Sequence, residues 1–112
     1  MDWTLADDVR EALSGTISGD RPAIVKVARS LGMSVRTLQR RLGDLGTTYQ
    51  ELLDNVRYRS ARRLLTNTDL GIIDIAFLLG FEEVNSFVRA FHVWEGTTPA
   101  RWRARGDIGC DG

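Results

Sequence analysis

One short segment carries side chains whose types and spacing suit hydrogen bonding to another molecule. Within residues 35–45, Leu38, Leu42 and Leu45 recur at helical spacing and are predicted to face inward. The outward positions are rich in hydrogen-bond donors: Arg36, Thr37, Gln39, Arg40 and Arg41. Arginine pairs with guanine, and glutamine with adenine, through two hydrogen bonds each, so this face could read base edges. A solvated charged helix face has the same composition, and the segment alone leaves both interpretations open.

The residues before this segment predict how it is positioned. Residues 23–31 have the apolar face of a helix and are followed by Gly32, Met33 and Ser34. Glycine readily ends a helix, and serine can cap the next one. Residues 23–45 are therefore expected to form a helix-turn-helix whose second helix carries the donor-rich face.

The same pattern occurs again further along the chain. Residues 27–33 read Val-Ala-x-x-Leu-Gly-Met, and residues 75–81 read Ile-Ala-x-x-Leu-Gly-Phe. Residues 38–42, Leu-x-Arg-x-Leu, return in residues 87–91 as Phe-x-Arg-x-Phe. Two copies of one helix-turn-helix explain this repeat. The outward positions of the second copy are Val84, Asn85, Ser86, Val88, Arg89 and His92.

Residues 48–67 contain no glycine or proline and predict one long helix between the two copies. Thr48 and Glu51 have the spacing of a capping box. Some 20 helical residues span roughly 30 Å, close to the ~34 Å between successive major-groove faces of B-DNA.

Arg57 borders the apolar stripe of this long helix, where an unpaired charge is costly. We expect Arg57 in a structural pairing, with Asp74 as one candidate partner. The stripe consists of Leu53, Val56, Ser60 and Leu64.

Composition limits the class of protein. The 112 residues have a formal net charge of zero, but residues 21–66 hold ten basic and three acidic residues between two acidic ends. One histidine, the single Cys110 and no glycine-rich phosphate loop argue against an enzyme, a metal site or a cofactor. No apolar run is long enough to span a membrane. The aromatic residues at helical spacing are expected in the core: Trp3, Phe77, Phe81, Phe87, Phe91, Trp94 and Trp102.

Taken together, these motifs resemble a known family. Residues 31–42, Ala61-x-x-Leu64-Leu65 and residues 75–91, followed by Gly96 and Pro99, closely resemble the DNA-binding domain of the AraC/XylS family of bacterial transcription regulators. The resemblance covers about residues 4–105. It implies an all-α fold of seven helices, with two homeodomain-like helix-turn-helix subdomains joined by a long linker helix. Each subdomain would insert its third helix into the major groove of double-stranded DNA.

The resemblance also implies site residues. Contacts to bases would come from Arg36, Thr37, Gln39, Arg40, Val84, Asn85, Val88 and Arg89. Contacts to phosphates would come from Ser34, Arg41, Thr48, Ser86, His92 and Thr98. The arginines of residues 100–105 are further candidates for phosphate contact. Glu82 and Glu83 depart from the family pattern, and they are expected to cap the second reading helix while repelling phosphate.

The expected organisation has four parts. Residues 1–47 form the first subdomain, residues 48–67 the linker helix, residues 68–106 the second subdomain and residues 107–112 a flexible tail. The resemblance implies a cytoplasmic, nucleoid-associated activator or repressor, with RNA polymerase as a candidate partner. We expect this chain to be a monomer lacking the N-terminal effector or dimerisation domain of the family. A helical protein-interaction module, with binding insensitive to salt, is the alternative.

Overall fold

A computed structural model of the chain describes residues 3–15 and 23–109, which form seven helices and no strand. The helices are α1 (Leu5–Gly15), α2 (Ile24–Ser30), α3 (Val35–Asp44), α4 (Tyr49–Asn67), α5 (Ile72–Leu78), α6 (Val84–Glu95) and α7 (Pro99–Gly109). The predicted fold class is confirmed. Within the described residues, no helix is long and apolar enough to cross a membrane.

The turns of the two helix-turn-helix copies share one backbone geometry. Gly32 and Gly80 have φ angles of +72° and +90°, a left-handed conformation that favours glycine. The amide of Met33 donates to the carbonyl of Ala28 at 2.9 Å, and the equivalent bond in the second turn is 3.0 Å long. This bond is characteristic of a Schellman motif. The repeat seen in the sequence is thus present in the main chain as well.

The first core lies between α1, α2, α3 and the first half of α4. Leu38 and Leu42 are fully buried in it, as predicted, but Leu45 is 48% exposed and its predicted burial was wrong. Because α3 ends at Asp44, Leu45 lies beyond the helical spacing that placed it inward. The buried apolar residues of this core are Ala6, Val9, Leu13, Val27, Ala28, Leu38, Leu42, Leu52, Leu53 and Val56.

The second core is aromatic and involves α5, α6, α7 and the second half of α4. The ring of Phe91 meets those of Phe87 and Trp102 nearly edge-on, with centroids 5.9 and 5.7 Å apart. Phe81, Trp94 and Trp102 pack half-buried against this core. The predicted burial of Trp3 and Phe77 was wrong, because they are 64% and 57% exposed. The buried residues are Ala61, Leu65, Ile75, Ala76, Leu79, Phe87 and Phe91.

Helical geometry explains the two misplaced aromatic residues. Phe77 lies about 200° around α5 from Ile75, so it points away from the core that Ile75 enters. Trp3 precedes α1, and its indole Nε1 donates to a carboxylate oxygen of Asp8 at 2.6 Å. Both residues match helical spacing in the sequence but lie outside the buried faces.

The long helix α4 contributes to both cores. Its predicted capping box is present, since the hydroxyl of Thr48 accepts from the Glu51 amide and the Glu51 carboxylate accepts from the Thr48 amide. Its buried face is wider than the predicted stripe and comprises Leu52, Leu53, Val56, Arg57, Ser60, Ala61 and Leu65. The 19 residues of α4 therefore contribute buried side chains to both units.

Arg57 has the predicted structural role. It is only 9% exposed, and its guanidinium donates to the carbonyls of Leu79 at 2.9 Å and Gly80 at 3.2 Å. The same group lies 4.4 Å from the centroid of the Phe81 ring. These hydrogen bonds go to main-chain atoms, and Asp74, the partner considered from the sequence, is exposed on α5. Arg57 thus joins α4 to the turn of the second helix-turn-helix.

Arg103 of α7 donates hydrogen bonds at the C-terminal end of α4. Its guanidinium donates to the carbonyl of Leu65 at 3.0 Å and to that of Leu70 at 2.6 Å. It satisfies carbonyls in the last turn of α4 and in the segment that follows it. These contacts commit its donors within the fold, and phosphate contact by this residue stays a prediction. The helix that carries it runs to Gly109, beyond residue 106 where the second subdomain was expected to end. Residues 110–112, with Cys110, lie outside the described residues.

Replacing Tyr49 by phenylalanine is expected to raise the free energy of unfolding by about 1 kcal/mol. Among the described side chains, the Tyr49 hydroxyl is buried without a hydrogen-bond partner, and burial raises its pKa while the charge of Arg57 opposes that rise. Urea denaturation would measure the change, with Tyr58→Phe as a control that loses a hydrogen bond and should be less stable. A less stable Tyr49→Phe variant would show that the hydroxyl has a partner.

Candidate nucleic-acid interface

The outward face of α3 is free to bind. Arg36, Gln39, Arg40 and Arg41 are exposed. Across the described residues, the side chains of the three arginines make no hydrogen bond or ion pair. Thr37 is half-buried, and its hydroxyl accepts a hydrogen bond from Ser34 at 3.0 Å. The structure thus brings the predicted residues of the first copy onto one helix face, with the arginine donors uncommitted.

The corresponding face of α6 is less basic. Asn85, Arg89 and His92 are exposed, whereas Ser86 and Val88 are half-buried. Arg89 has no ion pair within the part of the chain that the structure describes, so its donors are available to a ligand. Val84, expected to touch a base, packs partly against the second core and presents only part of its surface.

Three predicted phosphate contacts lie at the starts of helices. The hydroxyl of Ser34 accepts from the Thr37 amide at 3.1 Å, and that of Thr98 accepts from the Arg101 amide at 3.2 Å. Thr48 caps α4 in the same way. In each case the hydroxyl oxygen accepts the capping hydrogen bond; the Ser34 hydroxyl also donates to Thr37. The remaining amides at a helix N-terminus are also suited to bind an anion, so phosphate contact at these positions stays a prediction.

A groove places two of these elements side by side. It has a volume of about 700 Å³ and is lined by residues that include Gln39 and Gly43 of α3 and Thr47, Thr48 and Gln50 around the start of α4. Gln39 was predicted to contact a base and Thr48 a phosphate. The structure thus brings a predicted base-contacting residue next to a predicted phosphate-contacting helix start.

Two basic residues of α2 were not predicted as site residues from the sequence. Lys26 and Arg29 are exposed on the first helix of the first helix-turn-helix. In such motifs the first helix crosses the DNA backbone, where cations can contact phosphate. The repeat could have drawn attention to them, because the equivalent positions of the second copy, 48 residues later, are Asp74 and Phe77. The first unit is thus the more basic on this helix too.

The starts of the two reading helices differ. Ser34 caps α3, whereas Glu83, the equivalent residue at the N-cap of α6, makes no side-chain capping hydrogen bond. The expectation that Glu83 caps α6 through its side chain was wrong. The exposed Glu83 carboxylate at this end would repel phosphate and supplies no side-chain cap to α6.

Replacing Glu83 by serine is expected to stabilise the fold by about 1 kcal/mol through a new cap and to strengthen DNA binding at low salt by removing a negative charge. Thermal denaturation and fluorescence anisotropy would measure the two effects. Glu83→Gln separates them, because it removes the charge without supplying a serine cap. If Glu83→Ser bound DNA no more tightly than wild type, α6 would not approach phosphate at its start.

Comparison with known proteins places the chain among transcription regulators. Residues 27–105 match the family model described as a helix-turn-helix domain. The chain is similar to the ornithine utilization regulator of Pseudomonas aeruginosa, with 48% identity over 85 residues that cover 76% of this chain and 25% of the relative. The chain spans about a quarter of the length of the curated relatives it matches.

Solved structures share the fold. A DNA-binding transcriptional dual regulator from Escherichia coli K-12 superposes with a TM-score of 0.88 at 23% identity, covering 96% of each chain. The DNA-binding domain of the global transcriptional factor AdpA, solved in complex with a target DNA, has a TM-score of 0.76 at 29% identity. That match covers 96% of this chain and 97% of the AdpA chain.

Proposed function

The chain belongs to the AraC/XylS family of helix-turn-helix transcription regulators, and from this membership we propose how its two units read one DNA duplex. The recognition helices α3 and α6 would enter successive major grooves on one face of the duplex. One observation carries this proposal: equivalent helices of an internal repeat each present exposed donors, and one continuous helix packs into both cores. The long axis of the molecule, 42 Å, is sufficient for two grooves ~34 Å apart.

Each reading helix would contribute distinct contacts to bases. In α3, arginine donors would pair with guanine and Gln39 with adenine. In α6, Arg89 would pair with guanine, Asn85 with adenine, and the two valines would contact thymine methyl groups. The full set proposed for base contact is Arg36, Thr37, Gln39, Arg40, Val84, Asn85, Val88 and Arg89.

Phosphate contacts would hold the domain in register on the duplex. Amides at the starts of α3, α4 and α7 are suited to this role, since each start has a capping hydroxyl and faces solvent. The side chains proposed to lie near phosphates are Ser34, Arg41, Thr48, Ser86, His92 and Thr98. Lys26 and Arg29 join this set because they lie on the helix that would cross the backbone.

The wider role follows the family. The domain would act as a monomeric, non-enzymatic reader in the cytoplasm, associated with the nucleoid, and would contact RNA polymerase when bound to DNA. Effector binding or dimerisation would reside in a separate N-terminal domain, as the family resemblance implies.

Selection of bound duplexes from a random DNA pool tests the proposal. We expect enrichment of a bipartite motif whose halves lie about 10 base pairs apart, one helical turn of B-DNA. Enrichment of one short motif would contradict a two-site reader and restrict reading to one unit. No enrichment, together with binding insensitive to salt, would favour the protein-interaction module.

A further inference from the structure

Three polar side chains join α4 to the far end of α6. The hydroxyl of Tyr58 donates to carboxylate oxygen Oε2 of Glu95 at 2.5 Å. The guanidinium of Arg62 donates to the Tyr58 hydroxyl at 2.8 Å and lies 3.4 Å from the same carboxylate oxygen. We refer to Tyr58, Arg62 and Glu95 as the α4–α6 clamp. Its polar groups are matched, with the acceptor on α6 and the donors on α4.

Aromatic packing fixes the clamp in place. The Tyr58 ring lies 5.5 Å from the ring of Trp94. The guanidinium of Arg62 lies 5.5 Å from the centroids of both the Tyr58 and Trp102 rings. The Glu95 side chain is only 18% exposed. The hydrogen bond to Glu95 raises the pKa of Tyr58 above its ordinary value, as expected for a hydroxyl that donates to a carboxylate.

The negative charge of Glu95 would be unfavourable at this position without these partners. It is the last residue of α6, where the helix dipole disfavours negative charge. A half-buried carboxylate also requires compensating hydrogen bonds. The contacts with Tyr58 and Arg62 of α4 therefore compensate the negative charge of Glu95 at this position. The first reading helix is two residues shorter than the 12-residue α6, and the residue after its end, Leu45, is exposed.

We propose that the α4–α6 clamp sets the tilt of α6 against α4 and thereby the half-site spacing that the protein prefers. This inference rests on the proposed two-site function. The 12 residues of α6 span roughly 18 Å, with reading residues in the first half and the clamp at the opposite end. A tilt of about ten degrees displaces one end by roughly 3 Å, close to the ~3.4 Å rise of one base pair. Tyr58, Arg62 and Glu95 are positioning residues.

Binding to a spacing series tests the clamp. Fluorescence anisotropy would compare wild type, Tyr58→Phe and Glu95→Gln on duplexes whose half-sites differ in separation by single base pairs. For Tyr58→Phe we expect the preference for the best spacing to fall by about three- to tenfold, with unchanged binding to an isolated second half-site. Glu95→Gln keeps an acceptor for Tyr58, so it should retain more of the preference. Asn55→Ala, an exposed change on α4, is the matched control.

The outcomes distinguish a positioning role of the α4–α6 clamp from general structural support and from a failure of two-site reading. An unchanged spacing preference in Tyr58→Phe would overturn the inference. So would an equal loss of affinity on every spacing, because that is the result of structural support alone. Wild-type protein that showed no spacing preference would instead contradict two-site reading itself. Circular dichroism would confirm that each variant is folded at the assay temperature.

Discussion

Replacing Arg40 by alanine is expected to weaken binding to the selected duplex by roughly ten- to a hundredfold, because one arginine–guanine pair discriminates by about 1–3 kcal/mol. Arg40 is exposed on α3 and has no partner among the described residues. Its loss should therefore change the free energy of unfolding by no more than about 0.5 kcal/mol. Anisotropy titrations on duplexes substituted at each base would measure both affinity and specificity.

The control for Arg40→Ala is Arg105→Ala, which removes the same charge from an exposed position late in α7. Arg105→Ala should leave the base preferences unchanged, whereas Arg40→Ala should relax the preference at one position of the first half-site. If both variants lost affinity equally and neither changed specificity, Arg40 would contribute only charge. Its assignment to a base would then be wrong.

Replacing Arg57 by alanine is expected to destabilise the fold by about 3 kcal/mol, since hydrogen bonds from a charged donor contribute about 1.5–3 kcal/mol each and buried carbonyls would lose their partner. Arg57 is nearly buried, and it donates to the carbonyls of Leu79 and Gly80. For a domain of this size the melting temperature should fall by more than about 10 °C. Thermal denaturation followed by circular dichroism would measure it.

Arg59→Ala provides the control on the same helix, because Arg59 is exposed and should contribute less than about 0.5 kcal/mol. Arg57→Lys should remain destabilised, since an ammonium group lacks the planar fork of donors that reaches both carbonyls. Equal stability of the Arg57→Ala and Arg59→Ala variants would show that Arg57 does not join α4 to the second turn.

The two units are built alike but carry different surfaces. At equivalent positions, the first has Lys26, Arg29 and Ser34, and the second has Asp74, Phe77 and Glu83. Positive charge and an N-terminal cap favour phosphate at the first unit, and negative charge opposes it at the second. We therefore expect the first unit to supply more of the affinity, while the second adds specificity through Asn85 and Arg89.

Local sequence patterns predicted the repeated parts of the fold well. The Leu-Gly-Met and Leu-Gly-Phe turns require a left-handed glycine, and Gly32 and Gly80 have that conformation. The capping box at Thr48 depends on residues three apart and was equally predictable. Leu45 and Phe77 were misplaced because helical spacing does not show where a helix ends or which side of a short helix is covered.

The long-range polar contacts were harder to predict. Arg57 and Arg103 bind main-chain carbonyls more than 20 residues away, and any residue type provides a carbonyl. The partners of Tyr58 and Arg62 depend on how α6 lies against α4, which residue spacing does not reveal. Thr37 and Ser34 were identified as candidates from their positions, but their mutual hydrogen bond required the structure.

The most direct test of two-site reading compares two duplexes in a salt series. One carries both selected half-sites, and the other is shortened to the first half-site alone. We expect the full duplex to bind more tightly and with a steeper salt dependence, since log K falls by about 0.9 per log unit of salt for each phosphate neutralised. Equal affinity and equal slope on the two duplexes would contradict DNA reading by the second unit.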